Sequence, residues 1–487
     1  MRHKIGLIAG PLLFLIACLL PAPEGLGKPG LIVLAAAAWM ALWWLTEAIP
    51  IPATALLPMV IFPLSGVSFA QDVSQSYMDR NIVLFMGGFF LAQAIQKWKL
   101  HRRMALWVLV RVGAHPSRLV LGFMLATAFL SMWVSNTATA IMMLPIATAV
   151  LSQFTRRGLD KDSRFPAVLM LAIAYSASIG GVATLIGTPP NIVLASQYAS
   201  LFPDRPEIGF LQWMAVGLPL AALFIPLVWL YLTRVFSKVY LEPMQAGAEY
   251  LVEEQRSLGA MSRGEKWVSV IFVLTALGWI FRRDLALGGL VIPGWASLMG
   301  VAETTHDSTV AVFASLLLFC IPVSWRKREF LMDWESARQI PWGVLILFGG
   351  GIALAGAVRD TGLADWIGNG LSFFGDLPLV ALIGVICLTI TFLTELTSNT
   401  AVATIFMPIL AGLAGVLELS PLLLMVPGAI SASCAFMLPV ATPPNAIVFA
   451  SDKVTMPQMS RAGLRLNILG AVLTTLLVYG CVEWIFA

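Results

Sequence analysis

Charge is what this chain has least of. Asp, Glu, Lys and Arg together make up 11% of its 487 residues, while 59% are hydrophobic. A soluble domain carries charge at roughly a quarter of its positions, so a water-soluble globule with one oversized core is excluded. Its helices would need polar faces at helical spacing. The net charge of +4 is small, and no basic cluster is interleaved with aromatics, which excludes nucleic acid as a partner. Five cysteines (Cys18, Cys320, Cys387, Cys434 and Cys481) all lie inside apolar runs and form no disulfide framework. Four scattered histidines offer no metal-ligand spacing. The Gly181–Gly187 stretch resembles a phosphate loop but lacks its lysine. No nucleophile-and-base constellation is present, so catalysis is not expected.

Long apolar runs are what the chain has in abundance. Leu31–Leu45, Val168–Ile186 and Leu466–Phe486, with their flanks, each approach the roughly 20 residues that cross a bilayer as a helix. Hydropathy and its interruptions predict an all-α polytopic membrane protein with eleven spans near 5–22, 30–48, 51–66, 81–98, 166–197, 209–235, 266–281, 306–324, 341–360, 421–450 and 465–486. Met1–Lys4 followed by Ile5–Leu20 reads as an uncleaved first span. Segments 118–154 and 378–416 are too long for one crossing and carry polar residues at mid-length. Each is expected to be a re-entrant hairpin. The positive-inside rule sets the orientation. With a cytoplasmic N-terminus, the groups Lys97/Lys99/Arg102/Arg103, Arg156/Arg157/Lys161/Arg164 and Arg326/Lys327/Arg328 all fall inside. Of the 30 Lys and Arg residues, only Lys28, Arg80, Arg205, Arg282, Arg283 and Arg359 fall outside. An odd number of spans then leaves the C-terminus extracytoplasmic. Residues 236–265, mixed in charge, read as a solvated cytoplasmic linker.

The chain also repeats itself. Leu84–Ile95 matches Leu347–Val358 at an offset of 263, and the same offset carries Ser135-Asn136-Thr137-Ala138 onto Ser398-Asn399-Thr400-Ala401. Thr188-Pro189-Pro190-Asn191 recurs as Thr442-Pro443-Pro444-Asn445 at an offset of 254. Identical apolar residues arise easily by chance; polar tetrads repeated in order at hydrocarbon depth do not. The two copies lie five steps apart in the span count, an odd number, so the second runs through the membrane in the opposite sense, the arrangement of alternating-access carriers.

A Ser-Asn-Thr run inside an apolar hairpin costs several kcal/mol unless every polar group finds a partner. As simple turns, these residues would bond their own backbone, which does not account for identical triplets in both halves, each followed by a Pro-Pro break. The prolines remove backbone donors and forbid a continuous helix. Unwound backbone at that depth is tolerated where it lines a site. Carbonyl and hydroxyl oxygens suit a hard cation; hydroxyls, amide N–H groups and helix N-termini suit a carboxylate. Two such halves predict a central anion site flanked by two cation sites, with no Lys or Arg at either tip. Channels would carry polar residues along whole helices instead. Glu395 is the one carboxylate near a tip and is expected in a hydrogen-bonded turn rather than a proton relay. Glu47 is expected to end a helix, and His306-Asp307 to cap one.

These motifs, with Thr46–Pro58 and the Leu84–Ala105 segment, resemble the divalent anion/sodium symporters, the INDY-type di- and tricarboxylate transporters. The resemblance covers nearly the whole chain. It implies sodium-coupled symport of C4-dicarboxylates such as succinate, malate or fumarate across the cell's inner membrane. A sodium-independent dicarboxylate or citrate exchanger, or a sodium/sulfate symporter, shares the same pattern. It implies a homodimer with scaffold helices at 1–80 and 266–340 and a transport domain that slides as an elevator. The first repeat, 81–235, and the second, 341–487, would each supply a hairpin to that domain. Asn136, Thr137, Thr188, Ser398, Asn399, Thr400 and Pro443 would line the substrate. Ser131, Ser135, Asn136 and Gly187 would hold one sodium ion; Thr394, Thr397, Asn399 and Ala441 would hold the other. Thr397 stands where a smaller residue is usual.

Overall fold

A computed structural model describes residues 2–113, 115–156, 163–237, 245–287 and 290–486. Arg157 and Lys161, counted above among the inner basic groups, lie outside the described residues, as do residues 238–244 of the linker. Helices dominate. Among the described residues, seven are long and apolar enough to cross a membrane: Lys28–Thr46, Asn136–Phe154, Phe165–Val182, Phe210–Phe236, Trp342–Asp360, Asn399–Val416 and Met456–Val482. Shorter apolar helices, including His3–Leu19, Asp307–Cys320 and Leu422–Ala432, fill the space between them.

Several expected elements come out differently. The span expected at 51–66 is two pieces, Ile51–Thr54 and Leu57–Ser65. Pro58 lacks the donor that would bond back to residue 54, and its ring crowds that carbonyl. The all-α expectation is corrected by two small antiparallel hairpins. Leu285–Leu287 pairs with Leu290–Ile292 beyond the helix Arg263–Ile280. Pro322–Ser324 pairs with Glu329–Phe330 beyond Asp307–Cys320. Both carry β-favouring residues (Val291, Ile292, Val323) just past a helix end. The linker is not merely solvated. It contains a helix, Gln245–Ser257, that packs on another unexpected helix, Leu100–Val112, and on the arm Asn136–Arg156. Leu251 is buried there, Arg102 pairs with Glu254, and Arg103 Nε meets Glu265 Oε1 at 2.8 Å.

Two capping expectations agree with the structure. Glu47 ends Lys28–Thr46 in the left-handed conformation at φ 49°. His306 precedes Asp307–Cys320, and its Nδ1 accepts the Ser308 N–H at 3.1 Å. Asp307 goes further: its carboxylate meets Arg282 Nε at 2.5 Å and accepts the Phe210 N–H at 2.9 Å, joining three elements in a buried ion pair.

The repeat is visible as a repeated order of elements. The first half runs from helix Arg80–Lys97 through a hairpin, Pro116–Ser131 and Asn136–Arg156. A broken helix follows (Phe165–Val182, then Pro189–Leu201), and then the long helix Phe210–Leu230. The second half runs from Trp342–Asp360 through the hairpin Leu379–Thr394 and Asn399–Val416. Its broken helix is Leu422–Ala432, then Pro443–Phe449, and it ends on Met456–Phe486. In each half the first part of the broken helix packs on its own hairpin. Phe165–Val182 is almost wholly buried, so the first break lies at the centre of the larger hydrophobic cluster.

Candidate functional site

The Pro-Pro pairs act as helix starters. Pro189-Pro190 and Pro443-Pro444 occupy the first two helical positions after each break, where a missing N–H costs nothing and the fixed φ is already helical. The residue ahead of each pair is extended, Thr188 at φ −143° and Thr442 at φ −139°. The breaks themselves are therefore residues 183–188 and 433–442, turns packed against the hairpin tips.

At the first tip three oxygens crowd together. Ser131 Oγ lies 2.6 Å from Asn136 Oδ1 and 2.6 Å from the Ala177 carbonyl oxygen. A hydroxyl has one proton, so it can satisfy only one of these acceptors. A Cβ on Gly181 would sit 2.5 Å from Asn136 Oδ1 and 3.1 Å from the Gly187 carbonyl oxygen, which places both oxygens around the bare Gly181. The structure thus brings Ser131, Asn136 and Gly187 together. Ser135 lies beside them as a turn residue, its Oγ accepting the Ala138 N–H at 3.3 Å.

The second tip repeats the pattern. Thr394 Oγ1 lies 2.7 Å from Asn399 Oδ1 and 3.0 Å from the Ala432 carbonyl oxygen, again one proton between two acceptors. Surplus acceptors of this kind suit a hard cation, whose preferred ligands are neutral and anionic oxygens. Ser398 precedes the arm Asn399–Val416, and Thr400 accepts the Thr404 hydroxyl through its carbonyl. Thr137 and Thr397 are half-buried, and their side chains make no hydrogen bond among the described residues; Thr188 and Ala441 are buried, and Pro443 is exposed.

Four residues outside the expected sets hold the breaks in shape. Glu395 accepts the backbone N–H groups of Phe436, Met437 and Leu438 at 2.7–3.0 Å and the Asn467 side-chain amide at 2.8 Å. Four donors converge on it, so it is a clasp on the second break, and no proton step is assigned to it. Asn467 also accepts the Phe436 N–H through Oδ1, at 3.2 Å. The first break has no carboxylate. Trp213, which stands at the repeat-equivalent position of Asn467, donates its indole N–H to the Val182 carbonyl at 2.9 Å, and the Thr184 hydroxyl bonds the Met132 carbonyl. A lone Asn inside the apolar run Leu466–Phe486 was the one sequence signal for Asn467; nothing in the sequence pointed to Trp213.

The two halves are covered unequally. Trp133 at the first tip packs edge-on against Phe272, with ring centroids 4.9 Å apart, and Ile186 is buried against Gly88. Their repeat equivalents, Leu396 and Val440, are 70% and 82% exposed.

The sodium:sulfate symporter transmembrane region family model matches residues 2–486. Relatives named sodium-dependent dicarboxylate transporter SdcS, from Staphylococcus saprophyticus and Staphylococcus aureus, are each 44% identical over 481 residues. Those alignments span 98% of this chain and 90% of each relative. Among solved structures, the YdaH transporter of Alcanivorax borkumensis aligns over 94% of this chain and 98% of its own, with a TM-score of 0.60 and 13% identity. MtrF of Neisseria gonorrhoeae, described as illuminating a class of antimetabolite efflux pumps, covers 98% of this chain and 93% of its own, at a TM-score of 0.58 and 12% identity. At such identities these two carry the fold alone. The hairpins, the paired breaks and a family model spanning the whole of the described chain lead to one statement: the protein is a multi-pass membrane protein of the sodium:sulfate symporter family.

Proposed function

We propose that this chain carries small dicarboxylate anions across the cell's inner membrane, coupled to sodium. The observation that carries the reading is the duplicated oxygen cluster, Ser131–Asn136–Gly187 in one half and Thr394–Asn399 in the other, with no Lys or Arg at either tip. In this reading Ser135, Thr397 and Ala441 complete the two sodium sites. Asn136, Thr137, Thr188, Ser398, Asn399, Thr400 and Pro443 face the substrate between them. The names of the 44%-identical relatives favour a dicarboxylate over the sulfate of the family's description.

A C4-dicarboxylate brings two negative charges to a site where even one bare charge costs several kcal/mol. Helix N-termini supply only about half a charge each, so the compensating charge travels with the substrate as sodium. The Asn136 and Asn399 amides can serve both ligands at once: Oδ1 faces the cation, and Nδ2, which makes no hydrogen bond among the described residues, can donate to a carboxylate. The N-terminus is cytoplasmic, the C-terminus is outside, and eleven crossings connect them. A homodimeric scaffold supports a transport unit that bears both hairpins and moves as an elevator. The unequal cover of the two tips supports one facing state, with the second tip uncovered.

The test is uptake of labelled succinate into proteoliposomes with no internal substrate. Uptake should need an inward sodium gradient and rise sigmoidally with sodium. Full-rate net uptake with choline in place of sodium overturns the sodium-coupled reading, and uptake that appears only once the vesicles are loaded with unlabelled dicarboxylate leaves an exchanger.

A further inference from the structure

The Asn that ends each Thr-Pro-Pro-Asn tetrad lies behind the oxygen clusters. Asn191 and Asn445 are completely buried. Asn191 Nδ2 donates to the Thr184 carbonyl at 2.7 Å and to the Gly181 carbonyl at 3.2 Å. Asn445 Nδ2 donates to the Leu438 and Ala435 carbonyls, both at 3.1 Å. These two partners stand at the same repeat positions, seven and ten residues upstream, at the offset of 254 that relates the tetrads; Asn191 Nδ2 also lies 3.4 Å from the Val182 carbonyl. Each amide therefore reaches from the second half-helix back across the break to the end of the first.

The carbonyl seven residues upstream also closes the turn that presents the cation-facing residue. Gly187 N donates to the Thr184 carbonyl at 3.3 Å, and Ala441 N donates to the Leu438 carbonyl at 3.2 Å. Asn191 thus holds one end of the 184–187 turn, and the Gly187 carbonyl oxygen at its other end lies, with Asn136 Oδ1, close around the bare Gly181. Asn445 holds 438–441 in the same way. Both side chains keep their Oδ1 buried without a donor. A buried polar atom left unpaired is normally removed or satisfied. The donor contacts, by contrast, recur in both copies at matching positions.

We propose that Asn191 and Asn445 are positioning residues for the two sodium sites. Each one sets the break so that its carbonyl faces the hairpin tip, while touching neither ion nor substrate itself. The inference rests on the sodium-coupled reading above.

The experiment uses the full-length protein in proteoliposomes for uptake and in detergent for thermal unfolding, with sodium or choline as the cation. The near-isosteric Asn191→Leu and Asn445→Leu remove the donors, and Asn191→Ser and Asn445→Ser are milder variants that keep one hydroxyl. For the Leu variants, sodium at half-maximal uptake should rise about ten-fold, which is about 1.4 kcal/mol, the size of one hydrogen bond. The Ser variants should fall between these and wild type. The succinate KM at saturating sodium should stay within about two-fold of wild type, since the substrate's own contacts are untouched. The rise in melting temperature that sodium confers should shrink, while the melting temperature in choline moves far less. A purely structural role would lower both melting temperatures together and leave the sodium requirement alone. That pattern overturns the proposal, in the Ser variants if the Leu variants do not fold. Wild-type protein that shows neither sodium-driven uptake nor sodium stabilisation overturns the sodium-coupled reading itself, a result distinct from failure of the variants.

Discussion

Gly181→Ala is the sharpest test of the first oxygen cluster, because one methyl group falls where two of its oxygens meet. The added Cβ would lie 2.5 Å from Asn136 Oδ1, where ordinary contact begins at 3.4 Å, so the amide or the tip must yield by about 0.9 Å. Overpacking of this kind costs ~1–3 kcal/mol. Without sodium the Asn136 side chain can swing away and escape most of that cost. With sodium bound, Oδ1 must return to the cluster, so the penalty falls on the sodium-loaded state. At tenfold per 1.4 kcal/mol, the sodium requirement should rise roughly five- to a hundred-fold. The repeat-equivalent residue is Ala435, so only the first site is built around a missing methyl. The assay is the sodium dependence of succinate uptake in proteoliposomes. Gly356→Ala serves as a control, since its new methyl meets nothing nearer than Ser200 Oγ at 3.6 Å. A sodium requirement within two-fold of wild type, in folded Gly181→Ala protein, would refute the placement of Asn136 in a cation site.

Asn136→Ala and Asn399→Ala should each reduce uptake to background while the protein stays folded, and more than half of wild-type uptake in either variant removes the central premise. Glu395→Gln keeps one acceptor but turns an amide toward N–H groups that need acceptors. It should lower the unfolding free energy by ~1–3 kcal/mol, read as a drop in melting temperature, and no drop would mean the clasp is dispensable. His101, outside the spans, has its pKa lowered from 6.5, first by burial and also by the neighbouring Arg102 and Lys99. The folded state thus binds fewer protons than the unfolded one below pH 6.5, so its share of stability is intact above that pH and is lost as pH falls below it. Melting curves from pH 7.5 to 5 should fall less steeply for His101→Gln than for wild type. Cysteines joining helix Lys28–Thr46 to the arm Asn399–Val416, which touch in this structure, should stop transport but spare substrate binding; turnover with a verified crosslink argues against an elevator.

What the sequence determined by itself is everything that depends on neighbours along the chain. Hydropathy over about 20 residues marks spans, a Pro-Pro pair starts a half-helix wherever it sits, and repeated tetrads mark the two tips; these follow from backbone chemistry and water avoidance. Short segments were less legible. Ile51–Ser65 read as one span because its prolines are hidden among apolar residues, and Gln245–Ser257 read as solvated because it carries Glu249, Glu253, Glu254 and Arg256 in a stretch of mixed charge. Tertiary structure decided which oxygens meet. The Ala177 and Ala432 carbonyls carry no signature in a sequence, since every residue has a carbonyl, and only packing of the broken helix on the hairpin brings them to Ser131 and Thr394. Glu395 finds Phe436–Leu438 and Asn467 across 41 to 72 residues of chain. Such partners are chosen by the geometry of packed helices, where a buried charge survives only with its donors already in place.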